Sequence, residues 1–374
     1  MERNTSQGKH VGVQQINFLI PVQEDSERPC TSPRFPRNMS VAAHTTPLLS
    51  RVVGYSVAIA NNAGRIIRDI MKRGELGIVE KESARDLQTE ADRAAQRSII
   101  TSLQKCFPKS TIIGEEGEDE VKDLSGQVFD PSSDSSSSIS SIACPPQLTT
   151  VAEEELVIWV DPLDGTAEYT QAHECRISGH LGVCKTLGLS CESLLDHVTV
   201  LIGIASGGKA VGGVIHQPYY NYQNPGAELG RTIWGIVGGS VGGMPIVAPP
   251  EGKVIVTTTR SHSSSTVNDA VAAVSPTEVL RVGGAGHKVM LLLEGKAHVY
   301  VFASPGCKKW DTCAPQAILE AAGGILTDIK GDPIPYHATV AHRNSTGVLA
   351  SAAGQDHQAF LAKIPQHVKD NLKA

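Results

Sequence analysis

Trp159-Val160-Asp161-Pro162-Leu163-Asp164-Gly165-Thr166 sets two carboxylates three residues apart at the end of a short apolar run, Leu156 to Val160. The run is brief, rich in bulky residues and closed by turn chemistry, so it predicts a buried strand. Pro162 and Gly165 are expected to turn the chain out of that strand at its carboxyl end. Carboxylates crowded at one strand end raise each other's pKa unless a cation lies between them. Hard divalent ions such as magnesium take oxygen ligands of this kind. An acidic turn is the ordinary alternative, because Asp-Pro and Asp-Gly pairs are common where strands end.

The same layout recurs on both sides. Upstream, Thr111-Ile112-Ile113 runs into Gly114-Glu115-Glu116. Downstream, the β-rich run Val299 to Ala303 runs through a Gly/Pro turn to Trp310-Asp311-Thr312-Cys313-Ala314-Pro315. A helix is predicted over Ala314 to Ala322, which makes Asp311 a candidate N-cap as well as a candidate ligand. Asp92 stands three residues after Thr89 and six after Asp86, at the start of a helical run to about Phe107. An N-cap with an acidic first turn explains that spacing as readily as a site does. The set supplies several hard oxygen ligands and no soft ones, which points to magnesium. Such ions can hold a phosphate, activate a water and stabilise a leaving oxygen.

The wider chain sets bounds. Its 374 residues are 40% hydrophobic and 19% charged, enough for a substantial core. A net charge of -6 gives no reason to expect a nucleic-acid polymer as partner, though an anionic small substrate fits if metals supply the positive charge. The eight cysteines form no Cys-x-x-Cys pair, and no secretory leader is apparent, so reduced thiols and a cytoplasmic location are expected. No apolar run reaches membrane-spanning length.

Residues 1–46 are polar and rich in Pro, Ser and Thr, and read as a disordered extension. Residues 47–374 form the expected catalytic domain. Leu48 to Met71 carries apolar residues at helical spacing, stopped by Gly74 and Gly77. Residues 117–150 read as an acidic, Ser-rich surface loop. Strands are expected near 198–205, 210–216, 232–237, 254–259 and 299–303, with helices near 267–274 and 288–294, in a mixed rather than strictly alternating order.

Taken in order, Gly114-Glu115-Glu116, Asp161-Pro162-Leu163-Asp164-Gly165-Thr166 and Trp310-Asp311-Thr312-Cys313-Ala314-Pro315 resemble the magnesium-dependent, lithium-sensitive inositol monophosphatase superfamily. Lys81 to Asp92, Gln217 to Tyr222, Thr257 to Ser263 and Gly283 to Gly286 resemble its bisphosphate nucleotidase branch. The resemblance implies a layered α/β/α/β/α sugar-phosphatase fold with mixed sheets. It implies two or three magnesium ions and a small nucleotide bisphosphate as substrate; no membrane or nucleic-acid partner is expected from the composition, and a monomer is favoured. The implied reaction removes the 3'-phosphate of adenosine 3',5'-bisphosphate, with 3'-phosphoadenosine 5'-phosphosulfate as a second substrate. An inositol phosphate phosphatase and a nucleotide-binding pseudo-enzyme are the alternatives.

Residue by residue, the resemblance assigns Glu115, Asp161, Asp164, Asp311 and the carbonyl of Leu163 to metal. It assigns Asp92 and Thr166 to activation of the attacking water, with Thr166 also touching substrate. Thr259, His262, Gly284 and Lys288 match nucleotide-holding positions, and without the resemblance they would read as surface bases and a loop glycine. Two departures stand out. Residues 171–193 form an atypical insert, read as an irregular loop, and His287 stands where the branch more often has Asn.

Overall fold

The apolar face of Leu48–Arg73 (α1) is what fixes it in place. Leu49, Val52, Val53, Ile59, Ala63, Ile67 and Ile70 recur at helical spacing and are all buried. Gly74 ends the helix in the left-handed region (φ 81°) and returns its N–H to the Ile70 carbonyl. The computed structural model describes residues 46–81, 87–117, 128–132, 142–177 and 191–373, with side chains from residue 194 in the last span. The extension expected over 1–46 therefore lies outside the described residues except for Thr46.

Val79–Glu80 (β1) and Leu87–Gln88 (β2) form a small antiparallel pair before Glu90–Cys106 (α2). A six-stranded sheet follows: Thr111–Gly114 (β3), Leu156–Asp164 (β4), Thr199–Ser206 (β5), Lys209–Gln217 (β6), Arg231–Ile236 (β7) and Val241–Gly242 (β8), in that spatial order. Only the β3–β4 pairing is parallel. A second sheet has five strands, in the spatial order Glu278–Val282 (β10), Ile255–Thr259 (β9), Val299–Phe302 (β11), Val348–Ser351 (β15), Ile325–Thr327 (β13). Cys307–Lys308 (β12) and Arg343–Asn344 (β14) make a short ladder beside it.

Strand alternation builds the layers. On β4, Ile158 and Val160 face a core shared with α1 and α2, while Trp159 faces the opposite core. That second core contains Ala285–Leu293 (α5) and Trp310–Ala321 (α6), and also receives Tyr300 and Phe302 from β11. Val299 and Val301 point away from it, into a third core with Ser265–Ala273 (α4), His357–Lys363 (α7) and Gln366–Asn371 (α8). Helices, sheet, helices, sheet, helices is the expected five-layer order.

Four details differ from expectation. β4 runs on through Pro162 to Asp164, with Asp161 and Asp164 paired to β5 and the register slipping between them. The bulge absorbs the proline while the flanking residues keep their partners. α6 begins at Trp310, so Asp311 lies in its first turn and Lys309 is the N-cap. Residues 171–177 are no loop: they complete the helix Thr166–Ile177 (α3), and Cys191–His197 is a 3-10 helix. The remainder of the insert, 178–190, lies outside the described residues. Cys175 is disulfide-bonded, whereas Cys106, Cys144, Cys307 and Cys313 are free thiols. Of the 117–150 segment, the described parts hold turns and the 3-10 turn Pro146–Leu148.

Candidate active site

β3 and β4 run parallel and adjacent, so their carboxyl ends coincide. Gly114 pairs with Val160, and the Glu115 N–H continues the ladder to the Val160 carbonyl at 3.1 Å. Glu115, just past β3, and Asp161 in β4 are thereby brought side by side, near enough for their charges to repel. Asp311 reaches the same place from the first turn of α6, and its carboxylate accepts the Lys308 N–H at 2.7 Å. Asp161 also accepts the Leu163 N–H at 3.0 Å, which shapes the bulge.

Asp164 is held more tightly. It accepts the Ala285 and Gly286 N–H groups, each at 2.8 Å, and the Thr199 hydroxyl at 2.7 Å. The amino end of α5 therefore rests on this carboxylate. Gly284 precedes it at φ 66°, and a Cβ there would strike the His197 carbonyl. Only glycine meets both demands.

Asp92 uses its two oxygens differently. Oδ2 accepts the Thr89 N–H at 2.8 Å and the Thr89 hydroxyl at 2.5 Å, completing the cap of α2. Oδ1 accepts the Thr166 hydroxyl at 3.1 Å. The cap thus uses one oxygen of Asp92 and leaves the other to Thr166. Thr166 Oγ1 also lies 3.0 Å from the Leu163 carbonyl.

Burial and mutual repulsion dominate the electrostatics. Asp161 is pushed well above the carboxylate range by burial, then by Glu115, Asp164 and Asp311. Burial and the charges of Glu115 and Asp164 push Asp311 up to about 7. Asp92 rises to about 7, through burial first and the Glu116 and Glu115 charges after it. Two cations answer this charge. Lys81 Nζ bonds Glu115 at 3.0 Å and Glu116 at 2.7 Å. Burial works against the Lys81 ammonium, but the two glutamates outweigh it and raise its pKa. Lys288, 5% exposed, donates to the Gly284 carbonyl at 2.7 Å and faces Asp164, Glu168 and Asp311; burial lowers its pKa.

The residues matched to nucleotide contacts gather around the turn before α5 and the end of β9. Thr259 Oγ1 accepts the His262 N–H at 3.1 Å, and the exposed His262 ring stands edge-on to Phe302. Lys288 points inward, toward the acids, rather than outward as a surface base. His287 stacks on His197 with ring centroids 4.6 Å apart.

The inositol monophosphatase family pattern matches residues 48–369. The chain belongs to that family. It is 51% identical over 334 residues to 3'(2'),5'-bisphosphate nucleotidase 1 of Homo sapiens, covering 88% of this chain and 99% of the relative. The Dictyostelium discoideum protein of the same name is 37% identical over 323 residues, covering 82% and 93%. Among solved structures, the extragenic suppressor protein suhB from Bartonella henselae superposes with TM-score 0.58 at 18% identity, covering 84% of this chain and 99% of its own; it shares the fold.

Inositol monophosphatase family enzymes generally depend on magnesium. The donor chemistry here fits, because the gathered groups are oxygens and the buried carboxylates lack enough cations to balance them. Among the described residues, no three His, Cys, Asp or Glu side chains stand ready to enclose an ion. Asp164 faces the α5 amides and Asp161 accepts the Leu163 N–H. Carboxylate oxygens keep further lone pairs for an ion, so these bonds do not close the site.

The sequence reading gave no role to Lys81, Thr199, Glu168 or Arg260. Lys81, set between Glu80 and Glu82 with Arg85 close by, reads as one base of a charged surface stretch. Thr199 carried none, since β-branched residues open strands routinely.

Proposed function

We propose that this inositol monophosphatase-family protein removes the 3'-phosphate of adenosine 3',5'-bisphosphate with water, giving AMP and phosphate, and acts likewise on 3'-phosphoadenosine 5'-phosphosulfate. Its 51% identity to a 3'(2'),5'-bisphosphate nucleotidase 1 across 99% of that relative supports the substrate. The observation that carries the chemistry is the 3.1 Å bond from the Thr166 hydroxyl to Asp92, beside Glu115, Asp161, Asp164 and Asp311.

Those four acids and the Leu163 carbonyl would hold two or three magnesium ions. When bound, these supply Lewis acidity, a more acidic water and neutralisation of the phosphate. The chain's own groups do the rest. Thr166 Oγ1 orients the attacking water by accepting one of its protons, and passes its own proton to Asp92. A threonine hydroxyl alone is a poor base, so the carboxylate behind it is essential. Asp92 suits the task because burial raises its pKa to about 7. Thr259, His262 and Gly284 hold the nucleotide, with His262 directed at its 5'-phosphate, while Lys288 backs the same segment from inside through the Gly284 carbonyl.

Phosphate release with magnesium tests the reading, comparing adenosine 3',5'-bisphosphate with inositol 1-phosphate and inositol 1,4-bisphosphate. The nucleotide should have the highest kcat/KM. Faster release from an inositol phosphate would replace the nucleotide with that substrate.

A further inference from the structure

Glu168 follows Thr166 by two residues on the first turn of α3 and is 3% exposed. Its Oε1 accepts two hydrogen bonds from Arg260, from Nε at 3.1 Å and Nη2 at 2.6 Å. Arg260 Nη2 also donates to Gln171 Oε1 at 3.0 Å, one helical turn along α3. Arg260 itself follows Thr259 at the end of β9, and its N–H bonds the Val282 carbonyl at 3.2 Å. Gly283 completes the contact: a Cβ there would collide with the Glu168 carboxylate.

One buried ion pair thus ties the exit of the six-stranded sheet to the exit of the five-stranded sheet. On one side it adjoins Thr166, on the other Thr259 and His262. A buried pair is a poor source of stability compared with an apolar contact of the same shape, because both charges lose their water. Its distinctive property is fixed geometry: two bonds from a planar guanidinium set the distance and angle between the segments. The geometry points to Glu168 and Arg260 as a positioning pair that keeps the phosphate-handling end of β4–α3 in register with the nucleotide-contacting segment Thr259–His262. A substrate with groups at both ends is then held for attack. Neither residue touches the reacting atoms. The inference rests on the function proposed above.

The test uses the full chain with magnesium and the variants Glu168→Gln, Arg260→Met, their double mutant and Gln171→Ala. Three quantities are measured: kcat and KM on adenosine 3',5'-bisphosphate, the Kd of AMP by calorimetry, and melting temperature. A misplacement of about 1 Å costs up to about a hundredfold in rate. Each single variant of the pair should lose about tenfold or more in kcat/KM, and the double mutant should lose no more than the worse single. AMP occupies only the nucleotide side, so its Kd should change less than about threefold. An AMP affinity that falls in step with kcat/KM would show only local damage near Thr259 and overturn the positioning role, as would unchanged kcat/KM in a folded variant. If Arg260→Met does not fold, Gln171→Ala decides: it should lower kcat/KM about threefold with the AMP Kd unchanged, and equal changes in the two, or none in kcat/KM, overturn the inference. A wild-type chain that releases no phosphate from the nucleotide overturns the phosphatase reading itself, and the positioning role with it.

Discussion

Thr166 has one hydroxyl proton and two acceptors in reach, Asp92 Oδ1 at 3.1 Å and the Leu163 carbonyl at 3.0 Å. Relaying a proton needs the Asp92 direction, and it needs a hydroxyl rather than a methyl. Thr166→Ser should keep the rate within about tenfold, whereas Thr166→Val and Asp92→Asn should each cost about 10²–10⁴ in kcat. Because the two act as one unit, the double variant should be barely worse than either. Multiplicative losses in single-turnover kinetics would separate them. A second residue carries a pH dependence away from the site. His216 Nδ1 pairs with Thr232 Oγ1 at 2.8 Å, and that hydroxyl donates onward to Asn61 at 2.9 Å. The ring nitrogen facing Thr232 therefore bears the proton, and buried Nε2 has no partner. Burial first, and Arg68 second, lower the His216 pKa to about 3. The folded state thus prefers the neutral ring. That preference is fully present above the unfolded value near 6.5 and is lost as pH falls toward the folded value. Between pH 7.5 and pH 5 the wild type should lose about 2 kcal/mol from this group. Urea unfolding of His216→Gln should show a pH slope smaller by that amount; equal slopes would refute it.

At the scale of elements, three glycines seat the helix that carries Asp311. Gly203, Gly213 and Gly235 face one another across β5, β6 and β7. A Cβ on Gly203 would lie 2.6 Å from the Ala314 nitrogen, and one on Gly213 would lie 2.5 Å from the Ala314 carbonyl oxygen. A Cβ on Gly235 would meet Ala321 at 2.9 Å. The lane lets the α6 backbone lie directly on the sheet. Gly213→Val should cost about 2–4 kcal/mol by overpacking, read by denaturant unfolding, and should lower kcat further in the folded fraction by shifting Asp311. These glycines stood in the sequence inside β-rich runs, where an interior glycine marks a close approach. What approaches, a helix more than a hundred residues away in two of the three cases, is a matter of tertiary packing. Local periodicity served better for α1, whose apolar face recurs over the whole helix, and for β5, β6 and β9. It failed at α6, predicted from Ala314, although the helix already begins one turn earlier at Trp310. It failed again at 171–177, read as the start of an inserted irregular loop, yet α3 continues there with Ala172 and His173 buried.

Over the whole molecule, acids from separate segments converge at the ends of β3, β4 and α6. Their repeated strand-then-acid layout made them legible before any coordinates. The groups that brace them, Lys81, Thr199 and the Glu168–Arg260 pair, were not, because a lone base or a strand threonine has no pattern until the chain folds. The convergence predicts that stability depends on metal. Asp161 is buried among Glu115, Asp164 and Asp311, and its ionised form is disfavoured by burial and by their charges. A dication bound only by the folded state relieves this repulsion, stabilising by about 2.7 kcal/mol at a hundred times its Kd. In the wild type, magnesium should therefore raise the melting temperature by a few degrees over the same protein in chelator. Asp161→Asn should respond in the opposite way under the two conditions. In chelator it should melt above the wild type, since one member of a repelling buried set has become neutral. With magnesium it should gain little, since a ligand has gone, and it should lose about a hundredfold or more in turnover. A magnesium shift in Asp161→Asn as large as in the wild type would remove Asp161 from the ligand set, while a lower melting temperature in chelator would show that its ionised carboxylate is stabilised by some other partner.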